Sequence, residues 1–230
     1  MRLYGSPNSP FSTRVRIAAR VKGVTLELPA LPAGGLRSDE FLTLNPVAKI
    51  PVLVTEDGVR IPESEVILRY LEDRFPEPSL MPREADERAR VNLAVRLMDV
   101  YVMTPVIRLF AHLDPARRDP RAVEDEVARW TDGAAYLAHF FGAGLPPAPA
   151  GLSLADCALA PCLHLNIRIA AMLGLPADPL RRHGNLAGYY AAIGKDPVVG
   201  PALDELTASQ TAYDERAGRP SVAHWHAVAP

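Results

Sequence analysis

Asn45-Pro-Val-Ala-Lys-Ile-Pro-Val-Leu-Val-Thr-Glu-Asp-Gly-Val-Arg-Ile-Pro-Glu-Ser64 is the segment around which the rest of the chain is organised. Residues 52–55 and 59–61 are short runs rich in β-branched and apolar side chains. Glu56-Asp-Gly58 between them is a Gly-bearing tight connection, so the pair reads as a β-hairpin. Pro51 opens the first strand, where a missing N–H costs least. An X-Pro bond is cis at a penalty of only ~0.5–1 kcal/mol. A cis bond between Ile50 and Pro51 would turn the N–H and C=O of Ile50 out of the sheet, toward an extended peptide. Past the second strand, Pro62-Glu-Ser64 enters a helix and sets a carboxylate and a hydroxyl beside free helix N–H groups. A backbone edge, a helix N-terminus and an acidic partner for an amine are the parts that hold a small γ-linked peptide.

Upstream, Arg2-Leu-Tyr-Gly5 is a short strand ending at Ser6-Pro-Asn8, a turn composition. A helix is expected over residues 11–22, with Val15, Ala18, Ala19 and Val21 on its apolar side and Gly23 as its stop. Thr25-Leu-Glu-Leu28 is a second strand, making the opening a parallel βαβ unit with a right-handed crossover. Ala33-Gly-Gly-Leu36 is loop, and residues 38–44 form a short helix with Ser38 as N-cap. After the hairpin, a helix over residues 64–74 carries Val66, Ile67, Tyr70 and Leu71 as one stripe. Glu65, Arg69 and Asp73 form an exposed i,i+4 ladder on it. The order βαβ, α, ββα is thioredoxin-like, an α/β N-terminal domain over residues 1–75.

Pro76-Glu-Pro-Ser-Leu-Met-Pro82 has three prolines in seven residues, which reads as a semi-rigid linker over residues 76–83. Residues 84–230 read as an all-α helical bundle. A long helix is expected over residues 84–112, with Leu93, Leu97 and Tyr101 on its apolar face and a kink at Pro105. Over residues 120–141, Val123, Val127, Trp130, Ala134, Leu137 and Phe141 recur at gaps of four and three, a narrow helical seam. Leu145-Pro-Pro-Ala-Pro-Ala-Gly151 is a rigid loop, and Ser153-Leu-Ala-Asp156 starts a helix as a capping box. The body of that helix is nearly all apolar, which makes it the buried central one. Pro161 inside it costs on the order of 3 kcal/mol unless it sits at a kink. Shorter helices follow over residues 185–193 and 197–206, and the residues after Tyr213 read as a loosely held tail.

The composition is that of an ordinary soluble protein: 230 residues, 48% hydrophobic, with a formal net charge of −2. That balance implies no general attraction to nucleic acid or to membranes. No run of eighteen residues is wholly apolar, and the start, Met1-Arg-Leu-Tyr-Gly-Ser-Pro7, lacks the apolar core of a signal peptide. Two cysteines suggest no disulfide framework and point to a reducing, cytoplasmic setting. Cys157 and Cys162 are five apart, about 140° around a helix, so they neither share a face nor match zinc spacing and read as buried structural thiols. His224-Trp-His226 could bind a metal but reads as tail; no metal is expected.

Five stretches together carry a family resemblance: Ser9-Pro-Phe-Ser-Thr-Arg-Val-Arg-Ile-Ala18, Asn45-Pro-Val-Ala-Lys-Ile-Pro-Val-Leu53, Glu63-Ser64 with Ile67-Leu-Arg-Tyr-Leu-Glu72, Phe75-Pro-Glu-Pro-Ser-Leu-Met-Pro82, and Gly151-Leu-Ser-Leu-Ala-Asp156. In order and spacing they resemble the glutathione transferase family across nearly the whole chain. The first looks nearest to the serine-containing zeta and tau classes, although the zeta signature Ser-Ser-Cys is absent. The resemblance implies glutathione as co-substrate, a small hydrophobic electrophile as second substrate, and a homodimer. It also implies an electrophile pocket between residues 6–11 and the helix around residues 100–108. By the same resemblance, Ile50 pairs its backbone with the cysteinyl part of glutathione beside a cis Pro51. Glu63 takes the γ-glutamyl amine, Ser64 its carboxylate, and Lys49 the glycine carboxylate. Read alone, Glu63 is dipole compensation at a helix start and Lys49 a solvated charge. A minor alternative is a maleylacetoacetate isomerase-like cis-trans isomerase, and a rival from another class is a non-enzymatic, partner-binding member of the fold.

Ser9-Pro-Phe-Ser12 occupies the place where redox relatives of the fold carry cysteine, and two serines can neither attack nor form a disulfide. A serine can donate a hydrogen bond to a bound thiolate. Lowering a thiol pKa of ~8.5 by about two units takes ~2.7 kcal/mol. A hydrogen bond to a charged group supplies ~1.5–3 kcal/mol and a helix N-terminus ~0.3–1 more, which together suffice. Ser9 is therefore the catalytic candidate, with N-capping as its plain alternative and Ser12, Ser6 and Tyr4 as competing hydroxyls.

Overall fold

In the computed structural model, which describes residues 1–216, strands β1 (Arg2–Tyr4), β2 (Val52–Val54) and β3 (Arg60–Pro62) form an antiparallel sheet in the order β1-β2-β3. Leu3 lies opposite Leu53, and Leu53 opposite Ile61. All of β2 is buried, as suits the central strand of the sheet. Gly58 takes φ 81°, the left-handed conformation that the connection demands and glycine adopts without strain.

Three helices accompany the sheet: α1 (Pro10–Val21), α2 (Asp39–Leu44) and α3 (Ser64–Arg74). Ser9 caps α1, with Pro10 just inside it, and α1 buries Val15, Ile17, Ala18 and Ala19. Ser38 caps α2 by accepting from the Phe41 N–H at 3.2 Å, as its sequence predicts. The expected strand at residues 25–28 is reduced to a single parallel bridge between Glu27 and Arg2. Leu28 is exposed and Pro29 follows without an N–H to donate, so pairing stops there. On α3 the buried face is Ile67, Leu68 and Leu71, whereas Val66 points outward. The Glu65–Arg69 pair of the expected ladder is present at 2.8 Å.

The remainder is helical: α4 (Ala85–Leu97), a π turn (Met98–Val102), α5 (Met103–Leu109), α6 (Pro120–Phe141), α7 (Leu154–Leu173), α8 (Gly184–Ile193) and α9 (Val199–Arg216). The single long helix expected over residues 84–112 is thus interrupted. Pro105 has no N–H, and its ring crowds the carbonyl of Tyr101 four residues earlier, within the π turn. The apolar face differs too: Leu93 and Tyr101 are exposed, while Val91, Val95, Leu97, Met98, Val102 and Val106 are buried. At Gly133 of α6 a Cβ would fall 2.2 Å from the Tyr101 oxygen, so the π turn meets α6 backbone to backbone.

Helix α7 is the core of this half, with 18 of its 20 residues buried. It is long and apolar enough to cross a membrane by composition, but its burial here is that of a core helix. Its capping box is complete: the Ser153 N–H donates to Asp156 at 2.6 Å and the Asp156 N–H to Ser153 Oγ at 3.2 Å. Cys157 and Cys162 are both buried and unpaired to each other. The proline-rich segment is held by an ion pair buried beneath it. Lys22 meets Glu72 at 2.8 Å and donates to the carbonyls of Phe75 and Pro78, while Glu72 accepts from Ser79 Oγ and the Leu80 N–H.

The last helix runs past its expected end at residue 206: α9 continues to Arg216, Gln210 and Asp214 are buried, and Asp214 pairs with Arg168 of α7. The rest of the expected tail, His224 and His226 included, lies outside the described residues.

Candidate functional site

A cleft of about 1330 Å³ opens where the sheet half meets the helices. Ser9, Lys49, Ile50, Pro51, Glu63 and Ser64 all line it. Phe11, Val100, Met103, Ile107, Phe110 and Leu165 line it as well, as do the polar Asn92, Arg96, Asp99 and Thr104. The structure therefore brings the six candidate residues into one cleft, together with these apolar side chains.

Ser9 performs its plain role, since its Oγ accepts from the Ser12 N–H at 3.3 Å and caps α1. A hydroxyl that accepts still has its own proton to give, and accepting polarises the O–H toward donation. Of the competitors, Ser6 also lines the cleft. Ser12 is 1% exposed, and its Oγ accepts from the Ser6 N–H and faces Gly5, where a Cβ would lie 2.7 Å away. Tyr4 is not among the residues lining the cleft, and the Ser6 hydroxyl is committed to Asn8 at 2.6 Å.

The Ile50–Pro51 bond is cis, and Ile50 makes no backbone hydrogen bond among the described residues. Asn45, 1% exposed, shapes this loop from within: its amide donates to the Lys49 carbonyl at 2.8 Å and accepts from the Val47 N–H. Lys49 itself is exposed on the rim. Glu63, ahead of α3, takes φ 68° and ψ 114°, a region that costs a non-glycine residue about 1–3 kcal/mol. That conformation delivers both the Glu63 side chain and the α3 N-terminus to the cleft.

Beneath Ser64 lies a residue to which the sequence reading gave no role. Arg14, fully buried, donates to Ser64 Oγ at 3.4 Å, to Asp99 at 2.5 Å, to Cys162 Sγ at 3.0 Å and to the Ala158 carbonyl at 2.8 Å. Burial opposes its charge, and its charged and hydrogen-bonding neighbours outweigh burial, so its pKa lies above the ordinary arginine value. Burial pushes the Cys162 thiol up to about 11, so it is neutral near pH 7 and Asp99 is the counter-charge. One guanidinium thus joins α1, the start of α3, the π turn and α7. The signal in the sequence was a cation on the apolar side of α1, four residues before Ala18. Gln210 and Asp214 of α9 also reach the cleft, and Gln210 donates to the carbonyl of Asn8, next to Ser9, at 3.2 Å. Among the described residues no cluster of His, Cys, Asp or Glu is arranged to hold a metal.

The profile of the glutathione S-transferase N-terminal domain matches residues 3–79. A stringent starvation protein A homologue of Coxiella burnetii (strain RSA 493 / Nine Mile phase I) is 33% identical over 175 residues, covering 74% of this chain and 79% of that protein. A maleylacetoacetate isomerase of Pseudomonas aeruginosa (strain PAO1) is 29% identical over 217 residues, covering 84% and 93%. Among solved structures, the holo form of a maleyl pyruvate isomerase, described as a bacterial zeta-class glutathione S-transferase, superposes with a TM-score of 0.67 at 25% identity, covering 88% and 96%.

Proposed function

The chain belongs to the glutathione transferase family, whose substrate is glutathione, and from that premise we propose that it activates the glutathione thiol for attack on a small hydrophobic electrophile. The observation that carries this reading is the convergence of Ser9, Ile50, Glu63 and Ser64 on one cleft that also holds the apolar side chains of Met103, Ile107, Phe110 and Leu165. Glu63 takes the γ-glutamyl ammonium. The Ser64 hydroxyl, which already accepts from Arg14, donates its own proton to the γ-glutamyl carboxylate. Ile50 supplies a main-chain N–H and C=O to the cysteinyl residue, and Lys49 meets the glycine carboxylate from the rim. With the tripeptide so held, its sulfur lies over the α1 N-terminus, where the Ser9 hydroxyl and the helix dipole favour the thiolate. The thiolate attacks the electrophilic carbon, and the leaving group departs or a proton is taken up.

A second reading uses the same thiolate differently. The match to the Pseudomonas isomerase along 93% of its length favours reversible addition to a conjugated cis double bond, rotation, and expulsion of glutathione. The stringent starvation homologue keeps a third reading open, a partner-binding member of the family without this chemistry.

Ser9→Ala and Ser9→Cys, measured together, test the proposal. Ser9→Ala should leave glutathione affinity nearly intact and slow conjugation about ten- to a thousand-fold, as the bound thiol regains its free pKa. Ser9→Cys should form a mixed disulfide with glutathione after treatment with the oxidised tripeptide, visible by mass spectrometry. Wild-type conjugation by Ser9→Ala overturns the assignment of Ser9. Absence of glutathione binding at millimolar concentration by calorimetry overturns the enzymatic reading in favour of the partner-binding one.

A further inference from the structure

We propose that the α9 side of the cleft is a hydrogen-bond acceptor subsite, Gln210 with Asp214, which selects second substrates carrying a hydroxyl or amine away from their electrophilic carbon. The inference rests on the glutathione transferase reading of the same cleft. Gln210 and Asp214 are 3% and 1% exposed, lie one turn apart on α9, and both line the cleft. The Gln210 amide is oriented by its bond to the Asn8 carbonyl, which only its NH₂ can make, so Oε1 is the remaining atom. Asp214 gives Oδ2 to Arg168, which leaves Oδ1. Among the described residues neither Oε1 of Gln210 nor Oδ1 of Asp214 has a hydrogen-bond partner.

Two buried acceptors without donors within one helical turn are costly in an empty fold, and a donor arriving from the cleft removes that cost. The polarity of the pair sets the chemical class. Both free atoms accept, and one belongs to a carboxylate whose cationic partner is already engaged, so a hydroxyl, amide N–H or ammonium fits and an anionic group is repelled. Phe110, Met103, Ile107 and Leu165 line the same cleft and suit an aryl body behind the donor.

Affinities of the unreactive pair para-hydroxybenzylacetone and para-methoxybenzylacetone, measured by calorimetry on the glutathione-saturated protein, test the subsite without relying on turnover. The hydroxyl compound should bind about tenfold or more tightly, because only it can donate. Gln210→Met, which keeps the length but no acceptor, should shrink that ratio toward one. Gln210→Glu, which keeps an acceptor while losing the donor to Asn8, should restore it. Equal affinity of the two compounds for the wild-type protein, no binding of either at millimolar concentration, or an unchanged ratio in Gln210→Met overturns the proposal. The wild-type comparison decides the matter even if a variant fails to fold. Conjugation of benzylideneacetone, assayed separately, reports on the transferase reading alone.

Discussion

At Glu63 the chain accepts a backbone conformation that its side chain opposes, φ 68° with ψ 114°, in order to bring a carboxylate and a helix start to one point. This produces an inverted preference. At ordinary positions alanine is more stable than glycine, because glycine loses more freedom on folding. Here Glu63→Gly should be more stable than Glu63→Ala by about 1 kcal/mol in urea unfolding, since glycine alone is relaxed at this angle. Both should bind glutathione about ten- to a hundred-fold more weakly in calorimetry, because each lacks the partner of the γ-glutamyl amine. Ser64→Ala should weaken binding within the same range. Unchanged affinity in all three would reduce Glu63 and Ser64 to a helix start. The helix starts at Ser9 and at Glu63-Ser64 were legible in the sequence because they depend on neighbours a few residues away. Arg14 was not, because its partners Ser64, Asp99 and Cys162 lie 50, 85 and 148 residues further on.

Elements with local causes came through with their bounds nearly intact. Helix α3 begins at Ser64 and ends at Arg74, α6 spans Pro120–Phe141, and the capping box at Ser153 is closed as its sequence predicts. In each, the start signal and the periodicity are written within a dozen or two residues. The π turn at Met98–Val102 was not legible, because one extra residue in a turn rephases everything after it and leaves no composition of its own. Its partner is Gly133, and the contact is backbone against backbone. Gly133→Ala would drive a methyl group to 2.2 Å from the Tyr101 oxygen, which no side-chain rotation relieves. A loss of about 1–3 kcal/mol is expected, the range for overpacking a tight contact. Gly188→Ala on α8, where an added Cβ meets nothing within 4 Å, should instead be neutral or stabilising. Thermal unfolding of the two variants checks the contrast, and similar melting temperatures would remove the close approach from the account.

Across the whole molecule the Lys22–Glu72 pair ties the sheet half to the proline-rich segment that leads into the helices. Burial alone would raise the Glu72 pKa. Hydrogen bonds from Lys22, Ser79 and the Leu80 N–H, with the Lys22 charge, outweigh burial and lower it below the ordinary value of 4.5. A carboxyl depressed in the folded state contributes its full stability above its unfolded pKa and loses it as pH falls through the folded one. Glu72→Gln should therefore differ most from wild type near neutral pH, and the two should converge in acid, below the ordinary carboxylate range. A difference that persists unchanged at low pH would mean that packing, not charge, is at issue. At the level of assembly we propose a homodimer, and light scattering should give twice the 25.0 kDa of the chain; the monomer mass would refute it. How the two ends of the chain meet could not be read in advance, because nothing near Gln210 announces a partner at Asn8, 202 positions away. That separation has a consequence for biosynthesis. At about 5–20 residues per second, a ribosome needs about 10 to 40 s to pass from Asn8 to Gln210. Throughout that interval the loop carrying Ser9 exists without the helix that hydrogen-bonds to it, so a nascent chain completes this side of the cleft only once α9 has been made.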